Sequence, residues 1–158
     1  MPHSRYDWAL RIKATEREYH AVRVAVDWLL SATADEIHDI TEQRQWDDLA
    51  AADTYAADRH LEATYIIRMF SVFERAIGSY WRLLPGNDVR DVKGDVRINE
   101  VGATCVILQD IIDEAQAVRA HRNNLVHRRI EDHYAAMAFA DARAKLLTYL
   151  DELPKQWG

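Results

Sequence analysis

The sequence predicts an all-α fold, a bundle of four or five helices running up and down. Three observations carry this reading. Glycine (5) and proline (3), the residues that interrupt helices, are scarce in 158 residues. Apolar residues recur at three- and four-residue steps over long stretches, which is the period of one helix face. No stretch shows the strict alternation of a half-buried strand. With 49% of the chain apolar, there is enough to fill one core, so residues 1–158 read as a single domain.

A first helix is predicted over residues 5–30, with Trp8, Ile12, Tyr19, Val22, Val26 and Leu29 on its apolar stripe. Thr33 followed by Glu36 is a capping-box pair, so a second helical segment starts there. It carries Ile37, Ile40 and Trp46 and becomes irregular toward residue 50. The next long helix covers 54–84, where Ile66, Met69, Phe73, Ile77, Tyr80 and Leu84 repeat at helical steps until Pro85-Gly86-Asn87-Asp88 stops it. Residues 85–97 read as an exposed loop. A further helix starts near residue 99 on Val101, Cys105, Leu108, Ile112 and Ala115, and a last one covers 134–153, ended by Pro154.

Charge and composition exclude several classes. No run approaches the roughly eighteen apolar residues of a membrane span. The opening MPHSRYDWALRIK lacks the apolar middle of a secretory signal, so a cytoplasmic protein without membrane contact is expected. The lone Cys105 lies on an apolar stripe and reads as a buried structural thiol. His20, His38 and His60 sit among charged neighbours and read as surface residues, and His121, His127 and His133 are spaced by six, unlike helical zinc ligands. No metal and no cofactor are expected. A net charge of −6 argues against indiscriminate nucleic-acid binding.

Against that acidic background, residues 119–133 (RAHRNNLVHRRIEDH) gather four arginines and three histidines. Continuing the stripe past Ile112 and Ala115 leads to Arg119 and Arg122, so a face that should stay apolar turns cationic. Desolvating an unpaired guanidinium costs several kcal/mol. Either an acid from another helix meets these arginines, or they line a cleft or subunit interface where an anion binds. Glu74, beside the core stripe of the long second helix, is the first candidate acid; the alternative is an exposed Glu74 paired elsewhere. Asn123-Asn124 are poor helix formers and predict a bend between Arg122 and His127. In an unbroken helix those two side chains would point about 140° apart. With a bend they face one site, and an arginine with a histidine suits phosphodiester chemistry. The guanidinium binds phosphate in a fork, while imidazole gives or takes a proton near neutral pH. The competing reading is a satisfied structural cluster that ties helices together.

Arg122-Asn123-Asn124-Leu125-Val126-His127 resembles the motif of the HEPN superfamily, an arginine followed after a short spacer by histidine, with a polar residue straight after the arginine. The segment MFSVFERAIGSYW, with Phe73-Glu74 ahead of Tyr80-Trp81, is similar to the second HEPN helix. The resemblance covers residues 61–150. It implies a bundle of HEPN type and a metal-independent endoribonuclease, with Arg122 and His127 as the catalytic pair and Asn123 as a polar helper. Arg119, His121, Asn124, Arg128 and Arg129 would form the phosphate-binding rim; a solvated charged turn is the alternative for these residues. It further implies RNA as substrate, a homodimer in which two motifs meet, and an antitoxin or other regulatory partner, since many members are toxins or phage-defence effectors. Position 129, a tyrosine in members controlled by nucleotidyltransferase antitoxins, is arginine here. Two other readings remain at this point: a non-catalytic module binding RNA or nucleotide, and a helical partner-binding protein.

Overall fold

The computed structural model describes residues 4–44, 51–86, 92–127 and 137–157. The described residues form six helices: α1 (Arg5–Ser31), α2 (Ala34–Arg44), α3 (Ala51–Trp81), α4 (Gly94–Thr104), α5 (Gln109–His127) and α6 (Phe139–Asp151). The expected all-α class holds.

Local signals explain most boundaries. The Ser4 hydroxyl accepts from the Asp7 amide at 3.2 Å and caps α1. Between α1 and α2, the Thr33 amide donates to Glu36 Oε2 (2.8 Å) and the Glu36 amide to Thr33 Oγ1 (3.4 Å), the reciprocal capping box read from the sequence. Those hydrogen bonds hold the Glu36 carboxyl below its ordinary range. The expected stretch around Trp46 lies outside the described residues. Helix α3 gives way to turns before Pro85, where Gly86 takes the left-handed φ of 82°.

Helix α3 is the spine. Ile66, Met69, Phe70, Phe73, Ile77 and Trp81 are each at most 2% exposed, and burying each contributes roughly 2 kcal/mol. Helix α1 runs antiparallel to it, as the contacts Arg23–Asp58 and Tyr19–Tyr65 show. Helix α6 runs parallel to α3, joined by Glu62–Phe139 near one end and Phe73–Tyr149 farther along. Helix α5 runs back against α6, with Lys145 bonding Glu114. Thus α1, α3, α5 and α6 alternate in direction, and the short α4 lies beside α3. At the pole opposite the C-terminal end of α5, Arg5 donates to the carbonyls of Asp151 and Leu153, Ser4 pairs with Gln156, and Trp8 stacks on Trp157 at 6.5 Å.

Three expectations need correction. The supposed loop over 85–97 becomes helical at Gly94. The single helix expected from residue 99 is two helices, which raises the number among the described residues to six. Helix α4 ends in a tight cap: the Ile107 amide reaches back to the Gly102 carbonyl (2.9 Å) and the Val106 amide to Ala103 (3.3 Å), the paired bonds of a Schellman turn. This turn sets Val106 at φ 58° and leaves Val106 86% and Leu108 67% exposed, so Leu108 is not on the core stripe. Helices α4 and α5 then fold back on one another, close enough that a Cβ on Gly102 would stand 2.5 Å from Ile112 Cδ1. Finally, α6 starts at Phe139 rather than 134, because Ala138 is extended.

A β-branched residue in the left-handed region is strained. Val106→Gly removes that strain without removing a packed side chain. It should raise unfolding stability by about 1 kcal/mol; a chemical-denaturation midpoint that stays level or falls would contradict this account.

Candidate functional site

The motif occupies the last two turns of α5, and the structure changes how it is read. Asn123 and Asn124 are helical, and α5 continues without a bend to His127. Leu125 packs against the core, so the helix is held by tertiary contact beyond the asparagines. Arg122 and His127 therefore leave the helix about 140° apart and about 7.5 Å apart along the axis. Arg122 is half-buried, whereas His127 is exposed.

The Arg122 Nη1 donates to Asn123 Oδ1 at 3.0 Å. Its Nε is buried and has no partner among the described residues, and the same is true of Asn124 Nδ2. Leaving a buried donor unpaired costs about 1–3 kcal/mol. Two residues apart on a helix, these donors leave it about 200° around from one another, so each calls for an acceptor of its own.

Arg119 meets an acid, one of the two outcomes the stripe argument allows, but the ion pair is with Asp95 and not with the expected Glu74. Its Nη2 lies 3.4 Å from Asp95 Oδ1 on α4, a long ion pair. That oxygen makes no hydrogen bond, so the contact is electrostatic attraction at a longer distance. Glu74 is half-buried on α3 and turns its Oε1 toward Gly94, beside the Arg119 guanidinium. Arg128 and Arg129 lie outside the described residues. His20, His38 and His60 are exposed, and Cys105 is half-buried with its thiol 3.4 Å from the Tyr80 hydroxyl.

Two residues that the sequence did not assign to the site border it. Glu62 on α3 accepts the Phe139 amide at 2.7 Å, closing the open N-terminus of α6 with a carboxylate. Tyr19 on α1 stacks on Phe139 with ring centroids 4.3 Å apart. His121 on α5 faces the same carboxylate: burial pushes its pKa down, and Glu62 pulls it back up by a smaller amount. Nothing local marks Glu62, because its partner is 77 residues away. The structure thus places His121 and the start of α6 near Glu62, spreads Arg122, Asn123 and Asn124 around the end of α5, and leaves His127 on the side of Asn123 and Asn124 rather than that of Arg122.

No protein-family model matches the chain, no curated protein is detectably similar to it, and no solved structure matches its fold. No helix among the described residues is long and apolar enough to cross a membrane.

The His121 arrangement makes a signed prediction. Its neutral form is favoured in the folded protein, so the unfolded chain binds the extra proton. Stability should fall as pH drops through 6.5 toward the lower folded value. In a proton-NMR titration the His121 ring should titrate below 6.5, and Glu62→Gln should move it lower still. An unchanged midpoint in Glu62→Gln would show that the carboxylate does not act on this ring.

Proposed function

We propose that this chain is a metal-independent endoribonuclease of HEPN type, working at the C-terminal end of α5. The observation that carries the reading is the unpartnered buried Nε of Arg122, in the segment that bears the Arg-to-His motif. A phosphodiester supplies an acceptor that this donor lacks.

The continuous helix favours assembly of such a site from two chains. One chain does not aim Arg122 and His127 at the same phosphate. A second copy, placed by two-fold symmetry with its α5 end alongside, brings a second arginine and a second histidine. The ribose 2′-oxygen then attacks the adjacent phosphorus as the bond to the 5′-oxygen breaks. His127 takes the 2′-hydroxyl proton, and His127 of the partner subunit, entering protonated, gives a proton to the leaving oxygen. A 2′,3′-cyclic phosphate and a 5′-hydroxyl result. Arg122 holds the phosphate oxygens as charge builds on them, with Asn123 orienting the guanidinium. Within this class the chain suits a toxin or phage-defence effector acting in the cytoplasm and restrained by an antitoxin.

The same continuous helix favours a second reading in a protein that stays monomeric, a non-catalytic module that binds RNA through the Arg119–Arg122 side of α5.

The test is cleavage of a labelled RNA pool by the wild type, His127→Ala and Arg122→Ala, with and without EDTA. His127→Ala should lower the rate by about 10²–10⁴-fold, and Arg122→Ala by about 10²–10³-fold. Chelator should leave the wild type unchanged. Full activity in His127→Ala, or loss of activity with EDTA, overturns the mechanism. Wild type that binds RNA steeply less as salt rises, yet never cleaves it, establishes the binding module instead.

A further inference from the structure

The first half of α3 has a side that its neighbours leave open: Tyr55, Arg59 and Glu62 are exposed there, whereas Thr54 and Leu61 are buried. Which helix this open side belongs to follows from the contacts of α3. Helix α6 follows the α3 line of Glu62 and Phe73. Helix α4 follows the line of Gly78 and Trp81, where Trp81 Nε1 donates to Glu100 at 3.0 Å. Helix α5 is bound to both, through Lys145–Glu114 on one side and through Arg119–Asp95 and Gln116–Asn99 on the other. It therefore covers the α3 line between them, Ile66, Phe70 and Ile77, each at most 2% exposed. Arg59 lies within about 20° of that line around the helix, so the apolar face under α5 turns cationic as it leaves the core.

Arg122 comes to the same place from the other helix. It lies within about 20° of Ala115 around α5, and Ala115 is fully buried, so Arg122 is on the inward side of α5. It follows His121, on which Glu62 acts, while Arg59 stands about 4.5 Å along α3 from Glu62. The seam between α3 and α5 thus ends in two guanidiniums, and neither has a carboxylate partner among the described residues. The acids next to Arg59 in its helix are committed elsewhere, Asp58 to Arg23 and Glu62 to the Phe139 amide. Two uncompensated guanidiniums suit an anion that carries more than one phosphate. One turn before Arg59 stands Tyr55, 59% exposed, with no aromatic or cationic group on its ring among the described residues. An exposed aromatic side chain beside cations is a platform on which unpaired bases stack.

We infer that Tyr55 and Arg59 form a second nucleotide subsite beside Arg122, with Arg59 binding a backbone phosphate next to the one at Arg122 and Tyr55 stacking on an unpaired base. The inference rests on RNA being the ligand of the α5 end, as proposed above, and specifies a single strand that crosses from α5 onto α3. A duplex keeps its base faces stacked inside the helix and offers Tyr55 no ring to bind. Neither residue moves a proton at neutral pH, so the subsite acts on affinity and on which strand is accepted, not on the chemical step.

Fluorescence anisotropy of the full chain with a labelled single-stranded oligonucleotide pool tests this, with 2′-O-methyl ribose in the probe to prevent cleavage. Tyr55→Ala should weaken binding by about 5- to 150-fold, the contribution of one stacked base, and Tyr55→Phe should keep the wild-type affinity. Arg59→Ala should weaken binding and lower the slope of log affinity against log salt by about 0.7, whereas Arg59→Lys should keep the slope. Arg17→Ala, which removes an exposed arginine of α1, should bind as the wild type does. With a duplex probe of the same length, Tyr55→Ala should also match the wild type. The replaced side chains are exposed, so each variant should keep its helical circular-dichroism signal. Wild-type affinity in either Tyr55→Ala or Arg59→Ala, or a loss in Arg17→Ala equal to that in Arg59→Ala, overturns the inference while RNA binding at α5 stands. A wild type that binds no single strand overturns the inference and the RNA reading together. A wild type that binds through Tyr55 and Arg59 yet never cleaves unprotected RNA sinks the ribonuclease reading and supports the subsite.

Discussion

The fold depends on one constraint, the burial of the second half of α3, where from Tyr65 to Trp81 only Arg68 and Arg75 are exposed. A helix that is apolar around most of its circumference cannot lie on a surface. Phe70, Phe73 and Trp81 need neighbours in different directions, and α1, α4, α5 and α6 each supply one. The direction of every long helix follows from that requirement. The long helices alternate in direction, with α1 and α5 antiparallel to α3 and α6 parallel to it. The site inherits this order. The end of α5 and the start of α6 meet at the Glu62 level of α3 because both helices are packed along it.

What was legible in the sequence was whatever is written locally. The start of α1, the Thr33–Glu36 capping box and the α3 stripe from Ile66 to Ile77 were read correctly, because each depends on residues within a few turns, whereas Leu84, expected on that stripe, lies past the end of α3. The break between α4 and α5 was not. Val106, Ile107 and Leu108 form an apolar run without glycine, proline or asparagine, and Val106 has no intrinsic preference for φ 58°. That turn is imposed from outside, by the close packing of Gly102 on Ile112. Tertiary packing overrode local preference again at Asn123-Asn124, where a bend was expected and Leu125 keeps the helix running. The motif residues could be picked out by type. Asp95 and Glu62, which face Arg119 and His121, could not, because they come from helices distant in sequence.

The two arginines of α5 illustrate how a charged end differs from a cationic patch. Arg119 has an acid 3.4 Å away and is partly neutralised. Among the described residues Arg122 has only an amide oxygen, which holds its plane without cancelling its charge. The guanidinium that remains electrostatically available is thus the one already oriented by a neighbour. Preorganisation of this kind lowers the entropy cost of binding an anion. It also explains how an acidic protein can present a local cationic site without attracting polyanions over its whole surface.

The meeting of the chain's two ends has a mechanical meaning. Residues 4 and 156 pair, Arg5 ties the end of α6, and Trp8 stacks on Trp157. Tension on either end would load this clasp, at the first turns of α1 and the end of α6, before it reached the rest of the bundle, and the clasp must shear as a unit before the bundle can unzip. The clasp also lies at the pole opposite Arg122 and His127. A tether, tag or fused domain attached at either end therefore leaves from the same side, and its path need not cross the far face where α5 ends.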